Sequence, residues 1–204
     1  FDDKNKEVVF HRHDMPSPWM NYLTNETFYT MISQAGGNLS WYKSPEIWRI
    51  GRYGFFLTPT DAQGLFVYIK DKKTGKVWNP SVLPTNTPLD FFESRHGRGY
   101  SKFLAKKDGV TISLVAFVGK ENALIYRLKI SSDHPADLEI YIAKEMGNME
   151  YLREMQWQCY TKQSNNIFYS KEADALVYDY FIDAQARPLE TPYAFFTSTL
   201  QSKS

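Results

Sequence analysis

The chain has 204 residues, of which 43% are hydrophobic and 16% aromatic, a length and composition that suit one large domain with a substantial core. Its 24 Lys and Arg are balanced by 23 Asp and Glu, so there is no net field to gather nucleic acid or an anionic membrane. The single Cys159 excludes an internal disulfide and a multi-cysteine zinc site, and no stretch approaches the ~20 apolar residues of a membrane-spanning helix.

From the start, Phe1-Asp2-Asp3-Lys4 lacks the form of a secretion signal, and the lone cysteine is compatible with a reducing cytoplasm, the location expected for this chain. His11 and His13 stand at i and i+2, on one face of an expected strand, with Asp14 after them. A metal site would need a third convergent ligand that the sequence does not supply, so no metal is assigned. Pro16-Ser17-Pro18 sets an extended entry to Trp19. Leu65 to Lys70 reads as a strong strand, followed by the turn Lys73-Thr74-Gly75-Lys76 and Val77-Trp78. Ser101 to Lys106, the turn Lys107-Asp108-Gly109, and Val110 to Phe117 read as a second hairpin, because Asp-Gly between β-prone runs is a strong turn signal. Ala123 to Ile130 and Leu138 to Ala143, separated by Ser131-Ser132-Asp133-His134-Pro135, read as a third, which makes a meander. Gly147 to Gln158 breaks the alternation and reads as a loop or a helical turn. Asn166 to Ser170, Ala175 to Phe181 and Ala194 to Leu200 return to strand, with Lys171 to Asp174 as a turn. The succession predicts an all-β fold, a large antiparallel β-sandwich with few short helical turns.

Two constellations carry possible chemistry. Arg95, His96 and Arg98, with the open backbone of Gly97 and Gly99, offer an anion site. The simpler reading is a strand-to-strand corner, its glycines permitting a tight bend and His96 bonding a backbone carbonyl. Trp41 and Tyr42 follow the Gly36-Gly37 turn, and Glu46, Trp48, Arg49, Arg52 and Tyr53 come soon after. Aromatic planes beside guanidinium and amide groups supply a stacking face and hydrogen-bond donors for a saccharide. The carboxylates Asp71, Asp90, Glu93 and Asp108 lie in or beside hairpins and read as turn or solvated residues, so none is assigned as catalytic.

In order and spacing, Pro16 to Tyr22, Gly36-Gly37 with Trp41-Tyr42, Asp71 to Trp78 and Arg95 to Tyr100 resemble the amino-terminal supersandwich domain of glycoside hydrolase family 94, the inverting disaccharide phosphorylases. The resemblance fades after about Lys120. It implies that residues 1–204 form one β-sandwich domain of a longer enzyme, whose catalytic acid sits on a helical (α/α) barrel outside this chain. It further implies a β-linked disaccharide or oligosaccharide as substrate, inorganic phosphate as co-substrate with no other cofactor, a homodimeric parent, and no turnover by this chain alone. Loops of such a domain help to shape the acceptor-sugar side of the active site. By that resemblance Trp41, Tyr42, Arg49, Asn148, Arg153 and Gln156 are the expected acceptor-side residues. Two further readings stay open: a standalone carbohydrate-binding or dimerisation module, and the corresponding domain of a cyclic glucan synthase.

Overall fold

The computed structural model describes residues 1–46, 48–51, 64–147, 166–179 and 193–199. In chain order its strands are β1 (Val8–Phe10), β2 (Met20–Thr24), β3 (Phe28–Ser33), β4 (Asn38–Tyr42), β5 (Leu65–Asp71) and β6 (Val77–Trp78). There follow β7 (Phe91–Gly97), β8 (Tyr100–Lys107), β9 (Val110–Val118), β10 (Leu124–Ser132) and β11 (Leu138–Lys144). The last three are β12 (Asn166–Ser170), β13 (Ala175–Asp179) and β14 (Tyr193–Phe196). Among the described residues there is no helix, and so none long and apolar enough to cross a membrane.

One layer is a five-stranded antiparallel sheet in the order β1-β7-β8-β9-β10. The facing layer is built from β2-β3-β4 and β11-β5-β6, joined by a short strap at residues 48–51. Tyr42 N donates to the Trp48 carbonyl at 3.0 Å on one side of the strap, and Gly147 N donates to the Ile50 carbonyl at 2.8 Å on the other. Ile50 N and Gly51 N both donate to the Ser40 carbonyl, at 2.9 and 3.3 Å. Two residues facing one partner make a β-bulge, which turns the strap from β4 toward the continuation of β11.

The core follows from period-2 alternation. Leu65, Val67 and Ile69 on β5 and Val110, Ile112, Leu114 and Ala116 on β9 present alternate side chains to the interior, where they meet Leu23, Ile32, Trp78, Phe103 and Ala105. Ile69 and Ile112 are fully buried; each such side chain contributes about 1.5–3 kcal/mol of burial. The remaining sheet, β12-β13-β14, lays Tyr178 and Ala194 against Trp48, Ile50 and Met146 of the strap region.

The first two expected hairpins form. Asp71 Oδ1 accepts from the backbone N–H groups of Lys73 and Thr74 at 2.8 and 2.9 Å, closing the β5–β6 turn. Asp108 and Gly109 both take positive φ, 46° and 77°, the twist a two-residue hairpin loop requires. The third expected hairpin does not form: β10 pairs with β9, while β11 leaves the meander and pairs with β5 in the other layer. His11 and His13 also lie outside any strand, after the end of β1.

Candidate functional site

Trp41 and Tyr42 belong to the end of β4, and strand alternation sends them to opposite faces. Trp41 is directly opposite Tyr29 on β3, and the two rings stack with centroids 5.6 Å apart and planes 6° from parallel. Arg49 is bridged to Trp41 from the strap, so Tyr29, Trp41 and Arg49 form one row across the sheet, with Arg49 buried. Tyr42 lies on the other face, where its ring meets Trp48 at 5.4 Å and the Lys43 ammonium stands 5.0 Å from the ring centre. Asn148, Arg153 and Gln156 lie outside the described residues. Their segment departs from Met146 and Gly147, which pair with Gly51 and Ile50 of the strap. The strap therefore borders both segments that the sequence singles out.

Behind the strap is a buried polar seam. Asn38 Nδ2 donates to Thr30 Oγ1 at 2.6 Å, and its Oδ1 accepts from Lys144 Nζ at 2.6 Å. A Cβ on Gly51 would stand 2.8 Å from Lys144 Nζ, so glycine leaves room for the ammonium. Burial pushes the Lys144 amine down to about 8.

The arginine-glycine motif is the strand-to-strand corner of the simpler reading, with β7 turning into β8 at Arg98 and Gly99 and Gly97 opposite Tyr100, and it is not an open anion site. Arg95 is saturated by carboxylates: Glu93 at 2.5 Å, Glu7 at 2.8 Å and Asp2 at 2.9 Å. Their hydrogen bonds raise its guanidinium further above its already high value. Burial holds His96 neutral, with its pKa lowered to about 4. His96 Nδ1 meets the side-chain hydroxyl Ser101 Oγ at 2.9 Å, in place of the expected backbone carbonyl. Gly97 and Gly99 adopt no left-handed φ. Gly97 is required for space, since a Cβ there would sit 2.7 Å from the Tyr100 ring.

The remaining candidates are engaged locally. Asp90 accepts from Asp108 N at 2.7 Å, and Asp108 lies 3.6 Å from Lys76. Glu93, expected as a turn or solvated residue, is buried against Arg95. His11 is 3.7 Å from Glu93, and His13 stands edge-on to Phe92. Among the described residues no group of three ligating side chains is placed to hold a metal ion. Sequence reasoning missed Tyr29, Asn38 and Lys144. Tyr29 was within reach, because the turn at Gly36-Gly37 folds β4 back along β3 and sets Trp41 across from it.

Residues 6–204 match the family model described as "Glycosyl hydrolase 94, supersandwich domain". The chain is 38% identical over 146 residues to the N,N'-diacetylchitobiose phosphorylase of Vibrio furnissii, a match covering 69% of this chain and 18% of that protein. It is 38% identical over 135 residues to the protein of the same name from Vibrio proteolyticus, covering 65% and 17%. With the solabiose phosphorylase of Paenibacillus borealis it shares 26% identity over 200 residues, 96% of this chain and 25% of that protein. The chain thus spans a quarter or less of the length of these relatives.

Proposed function

The chain belongs to the glycosyl hydrolase 94 supersandwich domain family, and from that premise we propose that it is the non-catalytic β-sandwich domain of a longer inverting phosphorylase. The parent cleaves a β-linked disaccharide or oligosaccharide with inorganic phosphate, releasing a sugar 1-phosphate and a shortened acceptor. Such a reaction needs a carboxylic acid at the leaving oxygen and an attack by phosphate on the opposite face of the ring. We assign both to a catalytic barrel outside this chain. In support, Asp71 and Asp90 are spent on turn amides and Glu93 on Arg95.

The contribution assigned to this chain is to pack on that barrel and shape the acceptor side. The observation that carries the assignment is the strap: it brings the Trp41–Tyr42 strand end and the start of the segment after Gly147 to its two edges. Tyr42 and Trp48 on one face, and Tyr29 and Trp41 on the other, offer stacking surface there.

Kinetics of the full-length enzyme test this. Tyr42→Ala should weaken acceptor use in the synthetic direction by about 1–3 kcal/mol, with far less change in apparent affinity for the sugar 1-phosphate. Unchanged acceptor kinetics in Tyr42→Ala and in Arg153→Ala, with folding confirmed, would leave the domain a purely architectural role. The chain alone should release no sugar 1-phosphate above a buffer control.

A further inference from the structure

Two interior groups on β7 stand without hydrogen-bond partners: among the described residues, neither His96 Nε2 nor Ser94 Oγ has one, and both atoms are shut off from solvent. They are two positions apart on one strand, so both side chains face into the sandwich. Ser94 is opposite Phe10 on β1 and Phe103 on β8. The same two rings stand edge-on to His96, at centroid distances of 5.8 and 6.1 Å. Both unpartnered groups therefore lie between one pair of aromatic walls.

The neighbouring hydrogen bonds fix what each group offers. Ser101 Oγ accepts from Asn21 Nδ2 at 3.1 Å and lies 2.9 Å from His96 Nδ1. When the Ser101 hydroxyl donates to Nδ1, its one hydrogen is used and the imidazole proton stands on Nε2. In the other tautomer Nδ1–H would donate to Ser101 Oγ, leaving the Ser101 hydrogen unmet and Nε2 an unmet acceptor, two groups in place of one. Burial keeps the ring neutral, so it carries only that one proton. The niche thus presents one N–H donor and one hydroxyl between apolar walls. Its occupant must be small, uncharged and able to accept from Nε2–H, while the Ser94 hydroxyl can either donate to it or accept from it.

We propose that this niche holds a single internal water, which accepts from His96 Nε2–H and hydrogen-bonds Ser94 Oγ. The water extends a chain that already runs from Asn21 through Ser101 to His96. Asn21 also donates to the Gly97 and Tyr100 carbonyls, at 3.1 and 3.0 Å. The completed chain ties the β2 layer to the tip of the β7–β8 hairpin.

Two measurements on the full 204-residue chain test the proposal. In protein labelled with 15N-histidine, the expected result is a proton on His96 Nε2 with cross-relaxation to a long-lived water. The Ser94→Ala variant should melt a few degrees lower, because the water loses a partner. A proton on Nδ1, or an Nε2–H with no water contact, overturns the proposal. So does a Ser94→Ala variant that melts higher and shows no water contact, since its hydroxyl was then a true orphan whose removal helps. Where melting and cross-relaxation disagree, or the variant fails to fold, the wild-type spectrum decides.

Discussion

Arg95 on β7 lies 2.8 Å from Glu7 Oε2, 88 positions earlier in the chain, and so fastens the first residues to the five-stranded sheet. Glu7 and Glu93, both buried, share this one guanidinium. Arg95→Met would leave two interior carboxylates without their cation, and a loss of about 2–4 kcal/mol is expected in denaturant unfolding. Hydrogen exchange should quicken first in Val8–Phe10, the strand the clamp holds. An unchanged unfolding midpoint would show that β1 is held by its backbone ladder alone.

Acid should open the same clamp. Burial pushes the Glu7 carboxyl up, but the Tyr100 hydroxyl and the Arg95 guanidinium outweigh it and hold the carboxyl below its usual range. Asn5, through its side chain and its backbone amide, and then Arg95, holds Asp2 at about 2. These folded values lie below the ~3.9–4.3 of the unfolded chain. The stabilisation is therefore complete above that range and disappears as pH falls toward about 2. Stability measured between pH ~5 and ~2 should fall more steeply in the wild type than in Arg95→Met.

Gly97→Ala tests the packing beside the clamp. The new methyl would press on Tyr100 ring atoms at 2.7 and 2.8 Å, and relief is expected to cost about 1–3 kcal/mol. The Tyr100 hydroxyl donates to Glu7, and that bond raises the phenol pKa. In the variant the phenol should move back toward ~10, as followed by NMR of labelled tyrosines. A Tyr100 titration identical to the wild type would mean that the ring yields without leaving Glu7.

Lys144 responds to pH with the opposite sign. Its folded value of about 8 lies below the ordinary 10.5, so its penalty is complete below about 8 and is relieved as pH rises toward 10.5. Stability should climb across that window by about 1–2 kcal/mol, a figure reduced for the partial exposure of the side chain. Lys144→Met should abolish the climb. A parallel pair of stability curves would show that the amine ionises freely in the fold.

The sequence made local pairings legible and long-range ones obscure. Asp71 to Lys76 and Asp108-Gly109 carry their turn geometry in their own residues, so β5–β6 and β8–β9 were readable. The turn-like Ser131 to Pro135 invited the same inference for β10 and β11. Yet β11 pairs with β5, and nothing within either strand specifies so distant a partner. The motif around Arg95 was visible, but its meaning rests on Asp2 and Glu7, which come near it only when β1 docks on β7. At the candidate site the residue types were legible. Their division between two faces was not, because it depends on Trp41 and Tyr42 being consecutive residues of a strand that the Gly36-Gly37 turn does not by itself announce.

The pairing of β5 with β11 has a consequence for synthesis. Lys70 meets Glu139 across it, a separation of 69 residues, so as the chain emerges from the ribosome β5 lacks that neighbour until all of that intervening length has been translated. Throughout that interval the apolar face of Leu65, Val67 and Ile69 borders an unpaired strand edge, the state most prone to sticking to other chains. Chaperone occupancy during translation should therefore rise once β5 leaves the exit tunnel and decline only after β11 follows it.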